Sequence, residues 1–366
     1  MNQRRNSYLA IFLGSVLTCV LCAGAALQDK RANEKLLAAI RDGDAQATSS
    51  LLSLPSGGAD ANARDEDGLT ALMYAAMYAS ADCVELLLAQ GADPNARSKS
   101  DVTALMLAIG QADKARLLLS KGAEVNAKSK QGHTALSIAA GREGSAEVVK
   151  ALLDHGADLP AINILGAAAR SGDIQVVKLL LERGADPNDR NNAGGAPPVT
   201  AKRASERSKS GGTPQDFRVL GLGGNIGGTP LMYAALARNT EVIKLLLGKG
   251  ADVNARHNGN GTALMFAAQM GDPATVKLLL EKGAEVNITN EHGYTALMYA
   301  AASESNDPEV IKALLAKGAE INVEAKDGET ALTLAGRKGR TEIVRLLKQA
   351  GAKEIVAARR RTGGTP

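Results

Sequence analysis

Histidine, cysteine and carboxylate side chains are the groups from which catalysis or metal binding would have to be assembled, and in this sequence they do not converge. The four histidines are His133, His155, His257 and His292. Three of them fall in loops just ahead of a Thr-led apolar run. His155 instead precedes Gly156 at the end of a Leu-rich run, where the negative end of a helix favours an imidazolium. No His-x-x-x-His, Cys-x-x-Cys, Gly-x-Ser-x-Gly or phosphate-loop pattern occurs. Gly221-Leu222-Gly223 has no helix behind it before residue 231. Cys83 stands where Val148 and Val242 stand in similar segments, so it reads as a small core residue rather than a nucleophile. No catalytic residue, metal ligand or cofactor site is assigned, and the chain is not expected to be an enzyme.

What positions these residues is an internal repeat. Thr70-Ala71-Leu72-Met73 recurs as Thr103-Ala104-Leu105-Met106, Thr262-Ala263-Leu264-Met265 and Thr295-Ala296-Leu297-Met298. Thr229-Pro230-Leu231-Met232 is the same element with proline second. A second marker, Gly-Ala-(Asp/Glu)-x-Asn after a Leu-rich run, begins at Gly91, Gly122, Gly250, Gly283 and Gly318, with eroded copies at Gly156, Gly184 and Gly351. Successive spacings of these glycines are 31, 34, 28, 66, 33, 35 and 33 residues. The carboxylates in this marker come once per period, so their spacing is structural. Thr at the head of each run suits a helix N-cap, Pro230 suits the first helical residue, and Gly91 suits a left-handed residue past a helix end. Each copy therefore predicts two short helices and a hairpin-like loop. Neither helix can bury its apolar face alone, so neighbours must stack.

The run Gly228-Thr229-Pro230-Leu231-Met232-Tyr233-Ala234-Ala235, with Glu241-Val242-Ile243-Lys244-Leu245-Leu246-Leu247 and Gly250-Ala251-Asp252-Val253-Asn254, closely resembles the ankyrin repeat family. The resemblance covers about residues 33–353 and suggests a bacterial-type exported member. Met stands where the family usually places His. The resemblance implies an all-α solenoid of stacked helix-turn-helix units with hairpin loops. We count nine repeats: one to five over 33–190 and six to nine over 229–354, with polar end caps. The third is two residues short between Ala108 and Leu117. Met73, Met106, Met232, Met265 and Met298 read either as a packing seam between repeats or as an adaptable ligand surface.

Composition agrees. Of 366 residues 45% are apolar, but aromatics reach only 2% with no Trp, which argues against a large all-β core. The formal charge of +4 gives no reason to expect nucleic acid. Residues 1–25 read as a signal peptide: Arg4 and Arg5, an uncharged apolar run, then Ala23-Gly24-Ala25. The alternative is an uncleaved membrane anchor over residues 8–27. The expected location is exported, periplasmic or secreted. Residues 355–366 read as a basic flexible tail.

Residues 191–228 interrupt the array. They are rich in Gly, contain Phe217-Arg218-Val219-Leu220 as a short strand or anchor, and read either as a tolerated flexible insertion or as a contact loop. The family resemblance implies a protein–protein interaction module or scaffold that binds another protein on its concave face and hairpin tips. Carried onto this chain, the contact positions are Leu69, Met77, Tyr78, Val102, Gln111, His133, Arg142, Leu236, Gln269, Met270, Tyr294, Ser303, Arg337 and Lys338, with Ala237 and Glu329 beside them. Tyr78 and Tyr294 stand out because exposed aromatics anchor interfaces disproportionately. Two other readings remain at this point: a ligand-binding or enzymatic site around 191–228, and a membrane-tethered structural scaffold. A monomer is expected.

Overall fold

The computed structural model describes residues 30–53, 59–159, 164–190 and 227–354. The segments read as signal or anchor, as most of the insertion (including Phe217 to Leu220) and as basic tail lie outside them. Among the described residues no helix is long and apolar enough to cross a membrane.

Helices come in short pairs. Helix α1 spans residues 30–41 and is followed by α2 (Ala45–Leu52), α3 (Ala71–Tyr78), α4 (Ala81–Ala89), α5 (Ala104–Leu107) and α6 (Ala112–Ser120). Next come α7 (Ala135–Ala140), α8 (Ala146–Asp154), α9 (Ile164–Ser171) and α10 (Ile174–Glu182). After residue 226 follow α11 (Pro230–Leu236), α12 (Thr240–Gly248), α13 (Ala263–Met270), α14 (Pro273–Glu281), α15 (Ala296–Ala302), α16 (Pro308–Ala316), α17 (Ala331–Arg337) and α18 (Thr341–Gln349). Among the described residues β structure is limited to an isolated bridge between Arg64 and Thr70, so the fold is an all-α repeat solenoid. The chain divides into two compact units, residues 1–139 with 147–158, and residues 140–146 with 159–366.

The repeated letters each have a local cause. Thr70, Thr103, Thr295 and Thr330 cap their helices, each hydroxyl accepting from the backbone N–H three residues on, at 3.2–3.4 Å. At the far end of α4, Gly91 takes φ +84° and lets the Ala92 N–H turn back to the Leu87 carbonyl at 2.9 Å. That bond absorbs a carbonyl the helix would otherwise leave without a partner. The same pairing recurs at Ala123–Leu118, Ala185–Leu180, Ala251–Leu246, Ala284–Leu279 and Ala319–Leu314. Ala follows Gly because its methyl is buried against that turn, as at Ala92, Ala251 and Ala319.

The asparagine of the marker joins consecutive repeats. Asn62 donates from Nδ2 to the Gly91 carbonyl at 3.0 Å and accepts from the Asp93 N–H at 2.8 Å. Asn95 and Asn126 repeat this in the first unit. In the second unit Asn254, Asn287 and Asn322 do the same. Asn188 bridges in the same way to Gly250 at 3.0 Å and to Asp252 at 2.7 Å, although 62 and 64 residues separate them. Helix α9 packs on α11 and α10 on α12, so the repeats on either side of the insertion are direct neighbours. Gly227 and Gly228 are buried and belong to the repeat, which trims the inserted segment expected over 191–228. In the fourth repeat the sequence places Pro160 where the asparagine would stand.

The core is the column of Ala, Leu, Val and Met that adjacent pairs share. Met73, Met106, Met232, Met265 and Met298 are all buried, which settles the packing seam and removes the ligand-surface alternative. The two-residue deletion in the third repeat has a visible effect. Helix α5 stops after one turn and continues as a 3₁₀ turn over Ala108–Gly110. In the following helix Lys114 occupies the inward column of Cys83, Val148 and Val242, with 0% exposure. Its ammonium donates to the Ala75 and Ala76 carbonyls at 3.0 and 3.2 Å, in the last turn of α3. The negative end of that helix is where a cation is favoured. Burial pushes the Lys114 pKa down and the Cys83 thiol pKa up.

Two outcomes follow from this packing. Excising residues 191–223 leaves seven residues between Asn188 and Thr229, as between Asn254 and Thr262. Circular dichroism melts of the excised protein should match the parent, whereas Asn188→Ala should cost about 1–2 kcal/mol in urea unfolding. Equal stability of Asn188→Ala and parent would show that the flanking repeats do not rest on that bridge. Lys114→Ala should lower the unfolding free energy by about 2–4 kcal/mol through an unfilled cavity and lost bonds to the Ala75 and Ala76 carbonyls. Lys114→Met, which keeps most of the volume, separates the two contributions.

Candidate partner-contact surface

Ahead of each first helix the chain makes a small hairpin, and its closing bonds are backbone bonds. Asp65 N–H donates to the Leu69 carbonyl at 3.0 Å, Ser98 to Val102 at 3.1 Å, Ser129 to His133 at 2.9 Å and Asn290 to Tyr294 at 3.0 Å. The turn requires a left-handed residue, supplied by Gly68 and Gly293 but also by Asp101 (φ +57°) and Asn260 (φ +62°). Consecutive hairpins are tied to each other as well. Lys99 N–H donates to Asp67 O at 2.9 Å, Lys130 to Ser100 at 3.0 Å and Lys326 to His292 at 3.0 Å. A methyl at Gly68 would come to 3.2 Å from the Lys99 nitrogen, so the approach of the next hairpin also demands glycine there. The tips therefore form a fixed frame, and their side chains are what varies.

Aromatic side chains sit behind these hairpins in a recurrent way. The residue after the Leu-Met pair is Tyr74, Tyr233, Phe266 or Tyr299 in four of the five copies and Leu107 in the fifth. Phe266 lies 5.5 Å from the His257 ring and Tyr299 lies 5.9 Å from Tyr294. Tyr74 instead donates its hydroxyl to Asp65 Oδ2 at 2.8 Å, which raises its pKa. Tyr299 accepts from Asn290 Nδ2 at 2.9 Å, and burial pushes its pKa up to about 12.

In the first unit the expected contact positions spread along this frame. Leu69, Met77, Val102 and His133 are half-buried, Gln111 is exposed, and Tyr78 is 56% exposed, one of two large apolar side chains so exposed among the described residues. Tyr78 does not stand alone. Its ring centroid lies 6.3 Å from that of Tyr74, and the Arg41 guanidinium lies 6.0 Å over the Tyr74 ring. Arg41, Asp65 and Tyr74 are thus part of this ledge and were missed by the sequence reading. The i, i+4 spacing of Tyr74 and Tyr78 was the available signal.

In the second unit Arg142 and Ala237 are exposed, while Leu236, Gln269 and Met270 are half-buried. Two expectations need correction. Ser303 is only 2% exposed, and its hydroxyl donates to the Gln269 carbonyl at 2.9 Å, so it ties one repeat to the next instead of facing solvent. Tyr294 is half-buried, not an open aromatic: it packs on Tyr299 and donates to Asp327 Oδ2 at 2.6 Å. Burial and that bond raise its pKa well above the ordinary phenol value. Arg337 pairs with Glu329, and Lys338 with Glu304 at 3.0 Å, so the basic end of the array is internally neutralised. Such exposed pairs add little stability but lower the local positive potential.

The histidines serve local structure. His155 Nδ1 contacts the Ala151 carbonyl at 2.8 Å, His257 Nδ1 accepts from the Gly259 N–H at 2.8 Å, and His292 Nε2 lies 3.4 Å from Glu291. Cys83 is buried. Among the described residues no group of three or more His, Cys, Asp or Glu is placed to hold a metal ion. Two shallow depressions of about 500 Å³ repeat the same place in two repeats, beside Arg97 and Glu124 and beside Arg256 and Glu285. They are periodic by-products of stacking. An enzymatic or ligand site at the insertion would lie outside the described residues.

A family model described as ankyrin repeats, three copies, matches residues 35–129, 126–191, 212–290, 231–325 and 285–358. No curated protein matches the chain. Ankyrin repeats are generally protein–protein interaction modules and are typically non-catalytic. With the family model running along nearly the whole array, and with capped helix pairs, zipped hairpins and bridging asparagines beneath it, the chain belongs to the ankyrin-repeat family.

Proposed function

We propose that this protein is a non-catalytic binding module that takes hold of another protein through its hairpin tips and the exposed ends of its first helices. The observation that carries this reading is Tyr78, an exposed aromatic at a helix end beside Tyr74, over whose ring Arg41 lies. Tyrosine and arginine are enriched among the residues that dominate binding hot spots, and tyrosine supplies large contact area at low entropic cost. The frame beneath them is fixed by hydrogen bonds, so little ordering is required on binding. The working location is outside the cytoplasm, with residues 1–25 removed, and the module acts as a monomer. Support for export comes from Arg4-Arg5, the uncharged apolar run and Ala23-Gly24-Ala25.

A photo-crosslinking amino acid at position 78 should capture a protein partner in the native host, while the same group at exposed Lys150 on α8 should not. Once the partner is in hand, Tyr78→Ala should weaken binding about tenfold or more without changing the melt, because its ring is largely in solvent. Equal capture at both positions would overturn the assignment of the surface. Intact-mass measurement of protein from the native host should show a mature chain beginning at Ala26. A chain retaining residues 8–27 would instead support the anchor.

A further inference from the structure

The hairpin ahead of α13 reads Arg256-His257-Asn258-Gly259-Asn260-Gly261-Thr262, with two Asn-Gly steps in succession. In an Asn-Gly step the glycine nitrogen is the least hindered nucleophile available to the preceding side-chain amide, because no Cβ shields it. At Asn258 the structure adds a base. The Gly259 N–H donates to His257 Nδ1 at 2.8 Å, so a basic lone pair already holds the proton that must leave for attack. The equivalent bonds in neighbouring hairpins run to acceptors of low basicity, Ser98 Oγ from the Ser100 N–H at 3.3 Å and Asn290 Oδ1 from the His292 N–H at 3.0 Å. Asn258 is exposed, and its amide rests against Gly227, filling the space a Cβ there would take, with Oδ1 2.5 Å from that point.

We propose that Asn258 is a self-modification site, converted to aspartate and isoaspartate through a succinimide, with His257 as the general base. The Gly259 nitrogen attacks Asn258 Cγ as His257 Nδ1 takes its proton. The new C–N bond closes the five-membered ring, the Cγ–NH₂ bond breaks, and the departing nitrogen receives the proton from His257 and leaves as ammonia. Water then opens either carbonyl of the ring, giving aspartate or isoaspartate. No oxidant or further reagent is needed. Burial lowers the His257 pKa and keeps the ring neutral, while Glu291 opposes that shift. Asn260 is the internal contrast. Its own backbone N–H is bound to the His257 carbonyl at 2.9 Å, and the glycine that follows it is buried.

The product alters the contact between hairpins. Gly259 O accepts from the Glu291 N–H at 2.9 Å, and an isoaspartate at 258 inserts a methylene immediately before that residue. A new carboxylate also arises where the Asn258 amide rests against Gly227. The modification is thus a slow, one-way change in the charge and register of one tip.

The test uses the full chain incubated at neutral pH. Trypsin releases one peptide, His257 to Lys277, that contains both asparagines, and fragmentation locates the mass gain of amide hydrolysis. Position 258 should react faster than 260. His257→Asn keeps a side-chain acceptor of the kind Asn290 supplies but removes the base, and should slow 258 by about tenfold or more. Denaturing the chain in urea should abolish the preference for 258. Unchanged rates at 258 in His257→Asn, or faster reaction at 260, would overturn the proposal.

Discussion

A side-chain amide that recurs at the same place in seven repeats carries the geometry of this protein. Its Nδ2 reaches the carbonyl of the next helix-capping glycine and its Oδ1 takes the N–H two residues beyond, as Asn62 does with Gly91 and Asp93. Asn is suited to this because a short amide offers a donor and an acceptor at fixed separation. The bond pair sets the distance between neighbouring loops, which in turn sets how the two helices of each repeat meet their neighbours. Apolar burial supplies most of the stabilising free energy, but it has no direction of its own. The bridge supplies the direction.

From that constraint the contact surface follows. With loops held in register, the hairpin backbones come close enough to bond to one another, as Lys99 does to Asp67. An aromatic after the Leu-Met pair then has a wall to pack against, seen in Phe266 on His257 and Tyr299 on Tyr294. In the first unit Tyr74 bonds to Asp65 and is only half covered, and Tyr78 projects beside it.

The third repeat shows how such an array absorbs damage. Its first helix is cut to a single turn, and the deletion falls where the helix end would have been. Lys114 reaches back to the carbonyls of the preceding repeat and binds them with a cation, where other junctions use neutral groups such as Asn239 on the Gly172 carbonyl or Ser303 on the Gln269 carbonyl. A buried ammonium costs desolvation, and the depressed pKa records that cost. Two charge–dipole contacts at a helix C-terminus offset it.

Much of the fold was legible as letters. Thr before Ala-Leu-Met marked the caps, Gly-Ala marked the helix ends, and the period marked the stacking, because each depends on backbone conformation and on burial that recurs in every copy. That residues 191–228 interrupt a single array was legible, but the bond that joins the array across them was not. Asn188 meets Gly250, a contact between positions 62 residues apart that no local pattern encodes. The same holds at the surface. Tyr78 was found by its type and its place at a helix end, but Ser303 and Tyr294 were misread as open because the partners that cover them, Gln269, Tyr299 and Asp327, come from other stretches of chain. Sequence alone determined that paired helices form and which residues cap them, since capping and periodicity act within a few residues. Only the tertiary structure decided which side chains remain in solvent, because exposure is set by what the neighbouring repeat places against them.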